Sequence, residues 1–154
     1  MKHAFFDAFT PEQAGPLSVS AREATFRAGE TIFRQRDSAD GFYLIETGEV
    51  KLEYELPGNK RIPIQKIEAG ELLGLSWLFE PYRWEFSATA VGEVTAKFLS
   101  AAQVRAACER DPRLGYKLMT ELARVLTNRL QATRHRLRVF VERASAEDED
   151  RQVC

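Results

Sequence analysis

"VKLEYELPGNKRIPIQKI", residues 50–67, decides how the fold is read. Val50, Leu52, Tyr54 and Leu56 alternate with Lys51, Glu53 and Glu55, and a period of two means a strand with one buried face. Pro57–Lys60 supplies hairpin-turn chemistry, and the alternation resumes behind it. Pro63 cannot donate to a ladder, which assigns the return strand to an edge or to a strand start.

Outward from this hairpin the pattern repeats. "TIF" and "FYLI" precede it, and "FSATAV" and "VTAKFL", separated by Gly92, follow. Short strands with Gly-containing turns from Ala24 to about Leu99 predict an antiparallel sandwich or barrel. "TPEQ", Thr10 to Gln13, is a capping box with proline at the first helical position, so a short helix starts there. Beyond Leu99 the period becomes helical: Ser100 and Gln103 read as a second capping box, and Asp111-Pro112 opens a long helix over 111–143.

That long helix carries two apolar stripes. Leu114, Leu118, Leu122 and Val125 form one. Tyr116, Met119, Ala123, Leu126, Leu130, Thr133, Leu137 and Phe140 recur at alternating three and four, which is a heptad seam. Two readings stand: one wide core-facing surface, or a parallel helix pair in a homodimer through Met119, Leu126, Leu130, Leu137 and Phe140. The second is favoured, because the seam runs past what a small β domain covers. Eight Lys or Arg against two Glu make residues 113–143 basic, and "AEDED" then reverses the sign. Ala144 to Cys154 are expected to form an acidic disordered tail after a single domain over 1–143.

Composition narrows the function classes. The chain has 154 residues, 44% hydrophobic and 29% charged, with a net charge of −1. That is an ordinary globular profile, with no charge bias toward nucleic acid or an anionic membrane. "MKHAFFDAF" lacks the apolar core of a secretory signal, and no stretch is apolar over the roughly 18 residues of a membrane span. Cys108 and Cys154 have no ligand spacing and make no disulfide framework, which suits a reducing cytoplasm. His3 and His135 are the only histidines, too few for a metal site on barrel strands, and no nucleophile-elbow or phosphate-loop pattern occurs. An enzyme is not expected.

"FRAGETIFRQRDSADGFYLIETGEVKL" resembles the opening strands of cyclic-nucleotide-binding domains of the catabolite-activator and FNR type, and "AGELLG…FSATA" resembles their phosphate-binding cassette. The likeness covers about residues 10–143. It implies a mainly β domain with flanking α: an eight-stranded antiparallel jelly-roll β-barrel with an N-terminal helix and a long C-terminal dimerisation helix. Gly29, Gly41, Gly48, Gly70 and Gly74 fall where the family makes tight turns, whereas Arg36 falls where relatives carry glycine, so that turn is expected to be built differently. A helix-turn-helix follows the long helix in relatives that regulate transcription. It does not fit in the eleven residues after Arg143, so no sequence-specific DNA binding is expected.

The resemblance also implies a ligand site. A cyclic phosphate would sit on the amides of Gly74, Leu75 and Ser76 at the start of a short helix, behind Glu71 and Leu72, with Ser87 and Ala88 closing the site. Thr133 matches a position that contacts the purine. Yet the ribose-holding glutamate falls on Leu75 and the phosphate-binding arginine on Phe86. Cyclic AMP or cyclic GMP therefore lacks both side-chain contacts, a deficit of about 100-fold or more. Arg83 either substitutes for the missing arginine or is a solvated loop residue. Trp77, Phe79, Trp84 and Phe86, in "GLSWLFEPYRWEFSATA" (74–90), either fill the vacated space or line an apolar pocket for another effector. Two functions follow: a regulatory module for a small cyclic-nucleotide-like effector, or a ligand-free dimeric scaffold acting on a protein partner.

Overall fold

In the computed structural model, which describes His3 to Val153, the alternating hairpin forms as two paired strands. β4 (Glu49–Leu56) and β5 (Lys60–Glu68) are joined by a turn in which Gly58 and Asn59 both take positive φ. The register jumps from Leu52↔Gln65 to Glu53↔Pro63, a bulge at Ile64. Val50 and Leu52 are buried as expected, but Glu53, read as solvent-facing, is buried too.

Around this hairpin lie β1 (Arg22–Phe26), β2 (Thr31–Phe33), β3 (Gly41–Thr47), β6 (Leu72–Leu73), β7 (Ser87–Ala90) and β8 (Val94–Ser100). The expected eight-stranded jelly-roll barrel is corrected here. All pairing is antiparallel, but it forms two separate four-stranded sheets, β1-β8-β3-β6 and β2-β7-β4-β5, which do not close. Outer strands β2 and β6 have three and two residues, too few for a ladder to carry pairing from one sheet to the other. Nor is the chain mainly β. Helices α1 (Pro11–Ser20), α2 (Ala101–Arg110) and α3 (Pro112–Val153) make it a mixed α/β fold, α3 alone taking 42 residues.

Both sheets feed one core of Ile45, Val50, Leu52, Ile67, Leu73, Ala88, Ala90, Val94 and Ala96, with Phe26, Ile32, Phe33 and Tyr43 packed on it. Pro63 lies in β5, an outer strand, where a missing N–H costs no ladder bond. Gly41 is no turn residue: it lies in β3, where a Cβ would collide with the Leu99 carbonyl. His3 caps the 3-10 turn Ala4–Ala8, its Nδ1 accepting from Phe5 N–H, so that Nε2 donates to the Ile45 carbonyl at 2.8 Å.

The Thr10 capping box closes α1 from both sides. α1 and α2 pack on each other and on β8. Ser100 does precede α2, but its side chain makes no capping bond, so the second capping box is absent. Asp111 caps α3, its Oδ1 accepting from the Arg113 and Leu114 amides.

The chain divides into two compact units at Gly115 and Tyr116. The second is α3 from Tyr116 onward. Leu118 and Leu122 are buried, whereas Tyr116, Met119, Leu126, Leu130, Leu137 and Phe140 are all exposed. The helix continues through residues 144–153, the stretch expected to be a disordered tail. That stretch contains no Gly or Pro to stop it. Cys154, the second thiol of the sequence reading, lies outside the described residues.

Candidate functional site

The residues aligned with a phosphate cassette begin at a tight turn. Glu71 closes it by accepting the Glu68 amide on Oε2 at 2.9 Å, and its side chain is exposed. Leu72 and Leu73 pair with Leu44 and Tyr43 and are buried. Gly74 follows at φ 103, and a Cβ there would lie 2.8 Å from the Trp84 ring. Only glycine meets both demands. Leu75 and Ser76 are half-buried, and the expected short helix is a single 3-10 turn, Ser76–Leu78. Three residues align too few peptide dipoles for a strong anion site.

The aromatic stretch is mostly internal. Trp77 is 1% exposed and stacks on Phe42, with centroids 5.1 Å apart. Its Nε1 has no hydrogen-bond partner, its carbonyl accepts from Arg105 Nη2, and the Arg105 guanidinium lies over the Tyr82 ring at 4.6 Å. Trp84, 6% exposed, stacks on Phe33 at 3.8 Å and 9°. Phe79 is exposed, while Phe86 is half-buried with its ring edge toward Tyr54, 6.2 Å between centroids.

Arg83 has a partner within the protein. Its Nη1 donates to the Arg36 carbonyl at 2.9 Å. Arg36 itself has φ 77, so the turn expected to be rebuilt keeps the left-handed conformation that suits glycine. Cross-bonds hold it there: Arg36 N–H donates to Trp84 O at 2.7 Å, and Trp84 N–H to Asp37 O at 2.9 Å.

Ser87 is fully buried with its hydroxyl satisfied on both sides. It accepts from the Gln35 amide and donates to Glu55 Oε1, each at 2.9 Å. Glu55 also meets Arg61 Nη2 at 3.2 Å. On the same face of β4, buried Glu53 accepts from Thr89 Oγ1 at 3.2 Å and lies 3.7 Å from Lys51 and 3.8 Å from Arg61. These contacts with Gln35, Glu53 and Glu55 were not foreseen from the sequence. Ala88 points into the core instead.

Thr133 is exposed on α3, and its hydroxyl donates to the Arg129 carbonyl four residues back at 2.9 Å. A surface cavity of about 490 Å³ lies elsewhere, among Ser38, Asp40, Tyr82, Ser100 and Arg105, and none of Gly74, Leu75, Phe86 or Ser87 lines it. Burial, and then the Asp40 carboxylate, push the Tyr43 phenol above its ordinary value, so it stays protonated near neutrality. Burial and Asp111 likewise raise the Cys108 thiol, which makes it a poor nucleophile. Among the described residues no three His, Cys, Asp or Glu come together as metal ligands, and no helix is long and apolar enough to cross a membrane.

Comparison with known proteins places this arrangement. The profile of the cyclic nucleotide-binding domain family matches residues 23–111. The CRP-like cAMP-activated global transcriptional regulator of Mycobacterium tuberculosis is 25% identical over 132 residues, 86% of this chain but 57% of that protein. The chain thus spans little more than half the length of the curated relatives it matches. Among solved structures, the N-terminal domain of a Streptomyces coelicolor transcriptional regulator is 28% identical at a TM-score of 0.68, covering 84% of this chain and 90% of that one. A cyclic nucleotide-binding domain from Methylobacillus flagellatus shares the fold at a TM-score of 0.76 and 23% identity, over 83% and 72% of the two chains. The match is to the effector-binding portion of such regulators, which is non-catalytic. This chain belongs to the cyclic nucleotide-binding domain family.

Proposed function

We propose that this domain is a regulatory module whose cassette does not take cyclic nucleotides and which acts through a protein partner, as a homodimer formed along the exposed seam of α3. The observation that carries the reading is the state of Ser87. Its hydroxyl is fully buried and already bonded to the Gln35 amide and to Glu55. Arg83 is likewise committed, to the Arg36 carbonyl, Trp84 lies over Gly74, and by resemblance apolar Leu75 and Phe86 fall at the ribose- and phosphate-contact positions. Transcriptional control by the mycobacterial relative is a property of a longer protein, and only its sensor part is proposed to have a counterpart here.

A second reading, an uncharged apolar effector, is favoured by one feature. Tyr54 and Ile62 face each other across the hairpin, 41% and 48% exposed, with Phe86 beside Tyr54. Calorimetric titration with cyclic AMP and cyclic GMP tests the main reading. No binding is expected at ligand concentrations up to about 1 mM. Micromolar affinity would overturn it.

A further inference from the structure

We infer that Glu55 is the specificity-determining residue that turns anions away from Ser87, so that restoring the missing arginine and glutamate is not enough to restore cyclic-nucleotide binding. The inference rests on the reading that the cassette does not take cyclic nucleotides, and it names the side chain responsible.

A serine hydroxyl has one proton to donate. In this chain that proton points at Glu55 Oε1, a charge-assisted bond of 2.9 Å. The carboxylate is fixed from several directions. The Glu55 amide donates to Gln35 Oε1 at 2.7 Å, the Gln35 amide donates to Ser87 Oγ, and Arg61 Nη2 lies 3.2 Å from the same Oε1. An anion arriving at Ser87 must take the proton from Glu55 and then remain beside a held negative charge. Arg61 offers no spare positive charge, because its Nη1 faces Glu53 at 3.8 Å, and Lys51 is paired with Glu53 as well. Among Lys51, Glu53, Glu55 and Arg61, two carboxylates and two cations already balance. An added phosphate would unbalance them.

Glutamine at position 55 is nearly isosteric. Its amide oxygen accepts from Ser87 as the carboxylate does, its amide nitrogen offers a donor, and the charge is gone. Glu53→Gln removes an equal charge from the same strand face at a residue with no bond to Ser87, which separates a specific effect from a general one.

The test is a calorimetric titration of cyclic AMP into four proteins: wild type, Phe86→Arg/Leu75→Glu, and that pair combined with Glu55→Gln or with Glu53→Gln. The Glu55→Gln combination is expected to bind roughly tenfold to a hundredfold more tightly than the parent pair, with a much smaller gain from Glu53→Gln. Equal affinity with and without Glu55, equal gains from the two glutamines, or no binding by any variant overturns the inference. Micromolar binding by the wild type would instead overturn the reading on which it rests.

Should the multiple variants fail to fold, Glu55→Gln alone is titrated with inorganic phosphate, following the Ser87 and Ala88 amides by nuclear magnetic resonance. A phosphate-dependent shift in the variant and none in the wild type is expected. The same response in both, or none in either, overturns the inference.

Discussion

Residues 74–86 and residues 116–140 are both rich in large apolar side chains, and the structure buries the indoles of the first while exposing the heptad seam of the second. In the loop, Trp77 and Trp84 are almost wholly buried. On α3, Tyr116 and Phe140 are 79% and 71% exposed. The loop has no hydrophobic period, and the helix has a regular one. Periodicity therefore tells the shape of a segment, while burial depends on whether a partner surface exists in the same chain. Each loop indole meets a ring, Phe42 for Trp77 and Phe33 for Trp84. The helical stripe is left exposed among the described residues, and a second copy is the cover proposed for it.

The hardest blow to this contrast is Trp77→Ala. Removing a buried indole should cost about 3–5 kcal/mol, read as a shift in the urea midpoint. A loss near zero would mean that the loop is not part of the core and that the two regions are alike. Leu126→Asp attacks the other side. A charge in an apolar helix seam should weaken self-association by about 100-fold, some 2.8 kcal/mol, in sedimentation equilibrium. A variant that associates as the parent does would show the stripe to be an ordinary exposed face.

The smallest effect should be favourable. Arg36→Gly relieves a left-handed residue beside the loop and should raise stability by about 1 kcal/mol, because Arg83 bonds the Arg36 backbone carbonyl and not its side chain. A loss on that substitution would mean that the Arg36 side chain contributes to holding Trp84 in place.

What the sequence made legible follows the same division. The β4–β5 hairpin, the Thr10 cap and the Asp111 start of α3 could be read because each is a local pattern a few residues long. β6 could not, since two residues carry no period. Glu53 was misread as exposed because the face it shares with Lys51 and Glu55 is covered by Arg61 and Thr89 from neighbouring strands, contacts that leave no mark in the alternation. The acidic end of α3 was taken for a tail on its charge and its want of apolar periodicity, although nothing in it breaks a helix. At the candidate site, resemblance pointed to Ser87 but not to its partners. Gln35 and Glu55 lie 52 and 32 residues away from it, and only the fold brings them together.

The open sheets carry a consequence for how the protein behaves in a crowded solution. Each unclosed sheet ends in strands whose outward N–H and C=O groups invite another chain to add on, the first step toward aggregation. β2 and β6 offer only three and two residues to such a visitor, and β1 opens with exposed Arg22 and Glu23. β5, nine residues long, is the real hazard. An intruding strand there would meet exposed Lys60, Arg61 and Lys66 and find no amide at Pro63. The proline that first suggested an outer strand thus also guards it, keeping the longest free border of the molecule from templating its own copies.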